Sequence, residues 1–292
     1  MREEIDIIAV NDEVELYVED VGPVDALPIV VLHGGPGGSA YVLREGLEEE
    51  LSAFRVIYFD QRGGGRSPML EAEPRLFTVD ALVEDLEALR EHLEIERWGL
   101  LAHGFGAIPA LEYARHFAQN VLCLGLIAPW VSFPALAQRL FRAALALRDL
   151  PAAAAPEDPM LALSEAFRLL EPKAIFDALM FPSEHGRMEY EWLSEGAGIL
   201  GNDAPGQMFV YNGLWELDYT PHLLELRVQP VVMVGSLDGT SYPEQAEVVA
   251  DLSGGSLEVI EGAGHYPWID QPVAFAQALQ RFLEQLEPDG GT

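Results

Sequence analysis

The chain is poor in positive charge and nearly free of cysteine. Over 292 residues, 17 lysines and arginines stand against 48 aspartates and glutamates, for a formal charge of −31. A field of that sign repels phosphate backbones and anionic lipid surfaces, so no nucleic-acid or membrane-surface role is expected. Lys173 is the single lysine, and part of the imbalance is equally compatible with a genome-wide composition bias. Cys123 is the only cysteine, which excludes an intramolecular disulfide and a cysteine-rich metal site; its apolar surroundings, Val121 to Ala128, read as a buried strand. No apolar run reaches membrane-spanning length. Met1 to Val10 carries Glu3, Glu4 and Asp6 where a signal peptide needs a basic start, so a cytoplasmic protein is expected. No internal repeat is visible.

With 49% hydrophobic residues, a chain of this length buries roughly 75% of the surface its unfolded form exposes. Short apolar runs bounded by turn residues recur at Ile5–Val10, Val14–Val18, Ile29–Leu32, Val56–Phe59, Trp98–Ala102, Val121–Ile127, Val231–Val234 and Leu257–Ile260. After the second they are continuously apolar, with helical patterns between them, as expected of parallel strands covered on both faces. The predicted fold class is α/β, with a mostly parallel eight-stranded sheet and helices on both faces. The helical spacing is clearest over Val79–Leu93, after a Thr78 cap. A second helix is expected just after Gly104, and a third carries Phe275, Leu279 and Phe282. From Pro129 to about His222 strand signals stop and aromatic-rich helical segments take over, broken by the Pro- and Ala-rich Pro151–Pro159. The expected organisation is a core of residues 1–128 and 223–292, an inserted helical cap of 129–222, and a frayed tail at Glu287–Thr292.

Two glycine-rich turns follow buried strands. In His33-Gly34-Gly35-Pro36-Gly37-Gly38, backbone N–H groups can approach a reacting oxygen without obstruction by side chains. A phosphate cradle would look similar, but no Gly-Lys-Ser/Thr follows. The second turn is Asp60-Gln61-Arg62-Gly63-Gly64-Gly65-Arg66-Ser67. Together the pair resembles the prolyl aminopeptidase (proline iminopeptidase) branch of the α/β-hydrolases, over most of the core.

That resemblance implies a nucleophile elbow: a strand, a sharp Gly-x-Ser-x-Gly turn and a helix. Here the strand Trp98–Ala102 leads into His103-Gly104-Phe105-Gly106, which puts Gly104 at the serine position and leaves no attacking oxygen. By the same resemblance Asp238 is the acid, His265 the general base, and the N–H groups of Gly35 and Phe105 the oxyanion donors. Ser39 and Ser67 are poor substitutes for the nucleophile, since neither lies in the elbow. His33, Gly34, His103, Trp130, Gln207, Trp215 and Gly239 are expected around the substrate. The family places an amine-recognising glutamate directly after the acid, where this chain has Gly239, and an ungapped count puts Gln207 at a second such position. Glu191, Glu195, Glu216 or Asp218 could supply the charge instead. No cofactor or metal is implied: the histidines lack ligand spacing, and no dinucleotide fingerprint follows the first buried strand.

The leading reading is therefore a hydrolase of a small amide, peptide or ester that works through His265, Asp238 and an oxyanion hole without a serine. The alternative is an inactive hydrolase-fold protein that binds a small ligand or regulates. An engineered Ser→Gly change fits less well, because Ala102 and Gly239 also depart from the family, and nothing selects a cofactor-free lyase or oxygenase. The expected partner is a small molecule or short peptide, bound by a monomer or homodimer.

Overall fold

The structure is a computed structural model that describes residues 3–196, 198–199 and 202–286; the tail expected to fray lies outside them. Each apolar run becomes a strand: β1 (Glu3–Ala9), β2 (Glu15–Val21), β3 (Pro28–Leu32), β4 (Arg55–Phe59), β5 (Trp98–His103), β6 (Val121–Ile127), β7 (Pro230–Gly235) and β8 (Ser256–Ile260). They form one eight-stranded sheet in the order β1-β2-β4-β3-β5-β6-β7-β8. β2 runs antiparallel to β1 and β4, and every other pairing is parallel. Among the described residues the helices are α1 (Tyr41–Leu47), α2 (Val79–His92), α3 (Ala107–His116), α4 (Phe133–Leu147), α5 (Pro159–Leu169), α6 (Pro172–Met180), α7 (Glu184–Gly196), α8 (Asp203–Tyr211), α9 (Pro243–Ser253), α10 (Pro267–Asp270) and α11 (Pro272–Leu286). Thr78 caps α2 by accepting the Ala81 N–H at 3.2 Å.

The strand period of two sends alternate side chains to opposite faces. Val30 and Leu32 join a core with Leu82, Leu86 and Leu89 of α2 and Leu111 of α3. Ile29 and Val31 join another with Leu43 and Leu47 of α1 and Phe275, Leu279 and Phe282 of α11. Covering both faces explains the continuous apolar runs: β5 and β7 are buried at every residue. The expectation fails for β8, an edge strand whose run carries Glu258 and which is buried only at Ile260. The stretch between β6 and β7 holds α4 to α8, whose Phe133, Leu140, Leu163, Ile175 and Phe209 enter the α2 and α3 side of the core. No helix among the described residues is long and apolar enough to cross a membrane.

Arg62 and Asp85 are buried as an ion pair. Arg62 Nη2 lies 2.6 Å from Asp85 Oδ1, with both side chains almost fully enclosed, and the guanidinium also donates to the Leu76 and Ala81 carbonyls at 2.7 and 3.0 Å. Removing one partner strands the other charge in an apolar setting. Asp85→Ala is expected to lower unfolding free energy by about 3–5 kcal/mol, read as a shift in urea midpoint at unchanged slope. Breaking the exposed Arg168–Glu165 pair with Glu165→Ala should cost about 1 kcal/mol or less.

Candidate active site

In open parallel sheets, chemistry collects where loops leave the carboxyl ends of the strands. The turn after β3 is braced by the one after β4. Asp60, fully buried, accepts the Ala40 N–H at 2.7 Å and the Arg66 N–H and Nε–H at 2.7 and 2.8 Å. Arg66 in turn pairs with Glu19 and lies over the Tyr17 ring at 4.0 Å. Gln61 grips His33 twice: its N–H donates to His33 Nε2 at 2.9 Å and its side-chain amide to the His33 carbonyl at 2.8 Å. With Nε2 accepting, the proton of His33 is on Nδ1, which donates to the Gly34 carbonyl at 2.5 Å. His33 is thus a strut of the turn, with neither nitrogen spare. Ser67 is structural as well, donating to the Asp60 carbonyl at 2.6 Å and accepting the Tyr17 N–H at 2.9 Å.

β5 ends at His103, and the next residue, Gly104, has φ +55°, a left-handed conformation that favours glycine. The turn continues into α3. A Cβ at Gly106 would come within 2.6 Å of the Leu32 carbonyl oxygen, so the start of α3 can lie this close to β3 only without a side chain there.

Asp238 and His265 follow β7 and β8 and meet at the same edge. His265 Nδ1 lies 2.8 Å from Asp238 Oδ2. The other carboxylate oxygen accepts the N–H groups of Thr240 and Ser241 at 2.7 and 3.0 Å and the Thr240 hydroxyl at 2.7 Å. Thr240 Oγ1 also lies 3.0 Å from His265 Nδ1, so the hydroxyl fixes carboxylate and ring together. With Nδ1–H donated to Asp238, Nε2 is the lone-pair nitrogen. It faces Gly104: a Cβ built there would lie 3.4 Å from it. Trp130 stacks on the His265 ring at 5.4 Å, and its backbone N–H donates to the Gly104 carbonyl at 3.1 Å.

These groups open onto a cavity of about 670 Å³. Of the residues named from sequence, His33, Gly34, Gly35, Ser39, His103, Gly104, Phe105, Trp130 and His265 line it, with Asp238 directly behind His265. Three expected around the substrate do not. Gln207 is exposed on α8, because the ungapped count behind it ignored the helix and loop lengths before β7. Trp215 packs edge-on against Phe133 at 5.7 Å. Gly239 is pressed against α6, where a Cβ would meet Leu179 Cδ2 at 2.5 Å.

Among the candidate carboxylates only Glu195 reaches this cavity, and it has no ion-pair partner among the described residues. Glu191 is tied to Lys173 and Arg187 at 3.0 and 2.6 Å; Asp218 accepts the Thr220 N–H at 3.0 Å; Glu216 is exposed outside the cavity. Sequence reasoning missed Ser194 and Tyr266 in the lining and the role of Thr240. The Asp-x-Thr-Ser run after β7 did carry a signal for Thr240, since an aspartate readily accepts N–H groups two and three residues on. No group of three or more His, Cys, Asp or Glu among the described residues could hold a metal ion.

Burial lowers the pKa of His33, partly offset by nearby Asp60. Burial also holds His103 well below its usual value, with the His265 ring adding to the effect; its Nε2 lies 3.0 Å from the His265 carbonyl and donates to it. Both are neutral at physiological pH. In the unfolded chain they titrate near about 6.5, so on acidification the unfolded state takes up protons first. Their contribution to stability is fully present above that pH and is lost as pH falls from it toward the depressed folded values. Unfolding free energy should fall between about pH 6.5 and 5, by at most roughly 1.4 kcal/mol per pH unit for each histidine. Denaturation midpoints across that window check this, and His103→Gln should flatten the slope.

Residues 28–272 match the family described as alpha/beta hydrolase fold. The chain is 58% identical to a proline iminopeptidase-related protein of Thermus thermophilus, whose crystal structure superposes with a TM-score of 0.92 over 99% of both chains. It is 26% identical over 285 residues to the proline iminopeptidase of Lactobacillus crispatus, covering 93% of this chain and 95% of that one. The proline iminopeptidase of Mycobacterium smegmatis shares the fold, with a TM-score of 0.73 at 20% identity over 99% and 100% of the two chains. The chain therefore belongs to the α/β-hydrolase fold family, as a proline iminopeptidase-related member.

Proposed function

We propose that the protein hydrolyses a small amide, short peptide or ester by attack of water, with His265 as general base, Asp238 as its orienting acid, and Gly104 standing where relatives carry the nucleophilic serine. One observation carries this reading: His265 Nε2 lies 3.4 Å from where a side chain on Gly104 would begin, while Nδ1 is held by Asp238 at 2.8 Å. A water beside Gly104 would give its proton to Nε2 as its oxygen attacks the carbonyl carbon, and on collapse of the tetrahedral intermediate the C–N or C–O bond would break, with Nε2–H returning that proton to the departing amine or alkoxide. The N–H groups of Gly35 and Phe105 would receive the developing oxyanion, and being backbone groups they do not depend on the residue at 104. The left-handed turn at Gly104 and the close approach at Gly106 support the assignment of the elbow.

The relatives named proline iminopeptidases suggest an amino-terminal proline in the substrate, with the helical stretch 129–222 as a cap. Glu195 is the carboxylate we assign to a substrate amine, since it faces the cavity without an ion-pair partner among the described residues. Magnitude favours activated substrates. Losing a triad serine costs about 10⁶ in turnover where it has been measured, with roughly 10³ to 10⁴ over the uncatalysed reaction remaining; an aryl ester is well within reach of that remainder, and an amide or peptide would turn over far more slowly. The absence of a hydroxyl at 104 equally favours a second reading, a binding protein that keeps the pocket without turnover.

The deciding experiment assays the protein, Gly104→Ser, and His265→Ala in both backgrounds against proline arylamides and short-chain aryl esters. Ester turnover by the natural protein that disappears in His265→Ala supports the water route. Turnover only after Gly104→Ser sinks it and leaves the binding reading. In whichever background is active, Glu195→Gln should raise KM for amine-bearing substrates by about 2- to 10-fold and leave KM for esters without an amine unchanged.

A further inference from the structure

The last carbonyls of a helix have no partner within it. In α6 two of these are used on the functional loops. The Leu179 carbonyl accepts the Gly239 N–H at 2.7 Å, and the Met180 carbonyl accepts the His265 N–H at 2.9 Å. The first donor directly follows the acid and the second is the base itself. The approach is close enough to dictate sequence: a Cβ at Gly239 would press on Leu179, and one at Gly264 would collide with the Met180 carbonyl oxygen. Neighbouring segments add two more ties. Arg139 of α4 donates from Nε to the Gly239 carbonyl at 2.7 Å while lying over the Tyr242 ring at 3.9 Å, and the Ser241 hydroxyl donates to the Pro129 carbonyl at 2.8 Å.

We infer that the C-terminal end of α6 is a clamp that sets the Asp238–His265 geometry, with Leu179 and Met180 as positioning residues acting through their peptide carbonyls. β7 and β8 end at Gly235 and Ile260, so the acid and base stand three and five residues beyond the sheet, in loops whose spacing the sheet alone does not fix. One helix end holding both loops makes the position of α6 and the Nδ1–Oδ2 hydrogen bond a single variable. Because Met180 also lines the cavity, a ligand that shifts α6 shifts the pair. The inference rests on reading Asp238 and His265 as the working pair, but its test does not need turnover.

The test is hydrogen exchange of backbone amides, followed by NMR together with the downfield resonance of His265 Nδ1–H. Ile175, fully buried on α6, is changed to Ala to loosen that helix; Leu89→Ala on α2 is the control for general destabilisation. The expected result is that Ile175→Ala speeds exchange at Gly239 and His265 at least tenfold, in step with the α6 amides, and broadens the Nδ1–H signal, whereas Leu89→Ala does neither. The reciprocal variant, Gly264→Ala, should speed exchange along α6 to a similar degree. Wild-type protection at Gly239 and His265 in an Ile175→Ala protein whose α6 amides are fast would overturn the inference, as would unchanged α6 protection in Gly264→Ala. If the paired assay finds no hydrolysis and the exchange coupling is present, the clamp stands and the hydrolytic reading alone fails.

Discussion

Backbone polar groups leaving the end of a sheet must find partners, and the arrangement of the site follows from where they find them. The amides of Gly239 and His265 emerge beyond β7 and β8, and the end of α6 supplies their acceptors. The unsatisfied groups of a helix terminus and of two loops thus cancel in one place. With the loops fixed, Asp238 can take three donors on one oxygen and leave the other for His265. The imidazole then has one available orientation, with Nε2 toward Gly104.

A second constraint is charge. In a chain this acidic, several of the few arginines are used internally as struts: Arg62 on Asp85, Arg66 on Asp60 and Glu19, Arg55 on Asp20. The glycine-rich turn after β3 keeps its shape because buried ion pairs and Gln61 hold the turn after β4 against it. Among the described residues no lysine or arginine lines the cavity, while Glu195 faces it, so its local charge has the same sign as the field of the whole chain.

Gly104 brings backbone and chemistry into a trade. A left-handed residue in a strand-to-helix turn is strained when it carries a side chain; glycine avoids that strain and offers no hydroxyl. The ring of Trp130 stacks on His265, and the Trp130 N–H binds the Gly104 carbonyl. The proposed water route and the binding alternative therefore share one scaffold and differ only in what sits between Nε2 and the ligand.

The sheet was readable from sequence because a strand buried on both faces is a continuous apolar run; all eight strands lay where the runs fall, with ends displaced by at most three residues. Asp238 and His265 were picked out by the family resemblance, and because their loops directly follow β7 and β8, chain order carries them to one edge. The places of Gln207, Trp215 and Gly239 were not readable. A helical segment's apolar period shows which face is buried but not against which neighbour, and counting residues through α7 and α8 cannot say which side chain reaches the cavity. Gly239 read as a missing recognition residue; in three dimensions it is the gap through which α6 passes. The sequence by itself determined the order of strands and turns and the residue types at their ends, because these are set by local periodicity and backbone conformation. Which carbonyls of α6 hold the loops of Asp238 and His265, and which carboxylate faces the cavity, was decided only by tertiary packing, because those contacts join residues far apart in the chain and leave no local pattern.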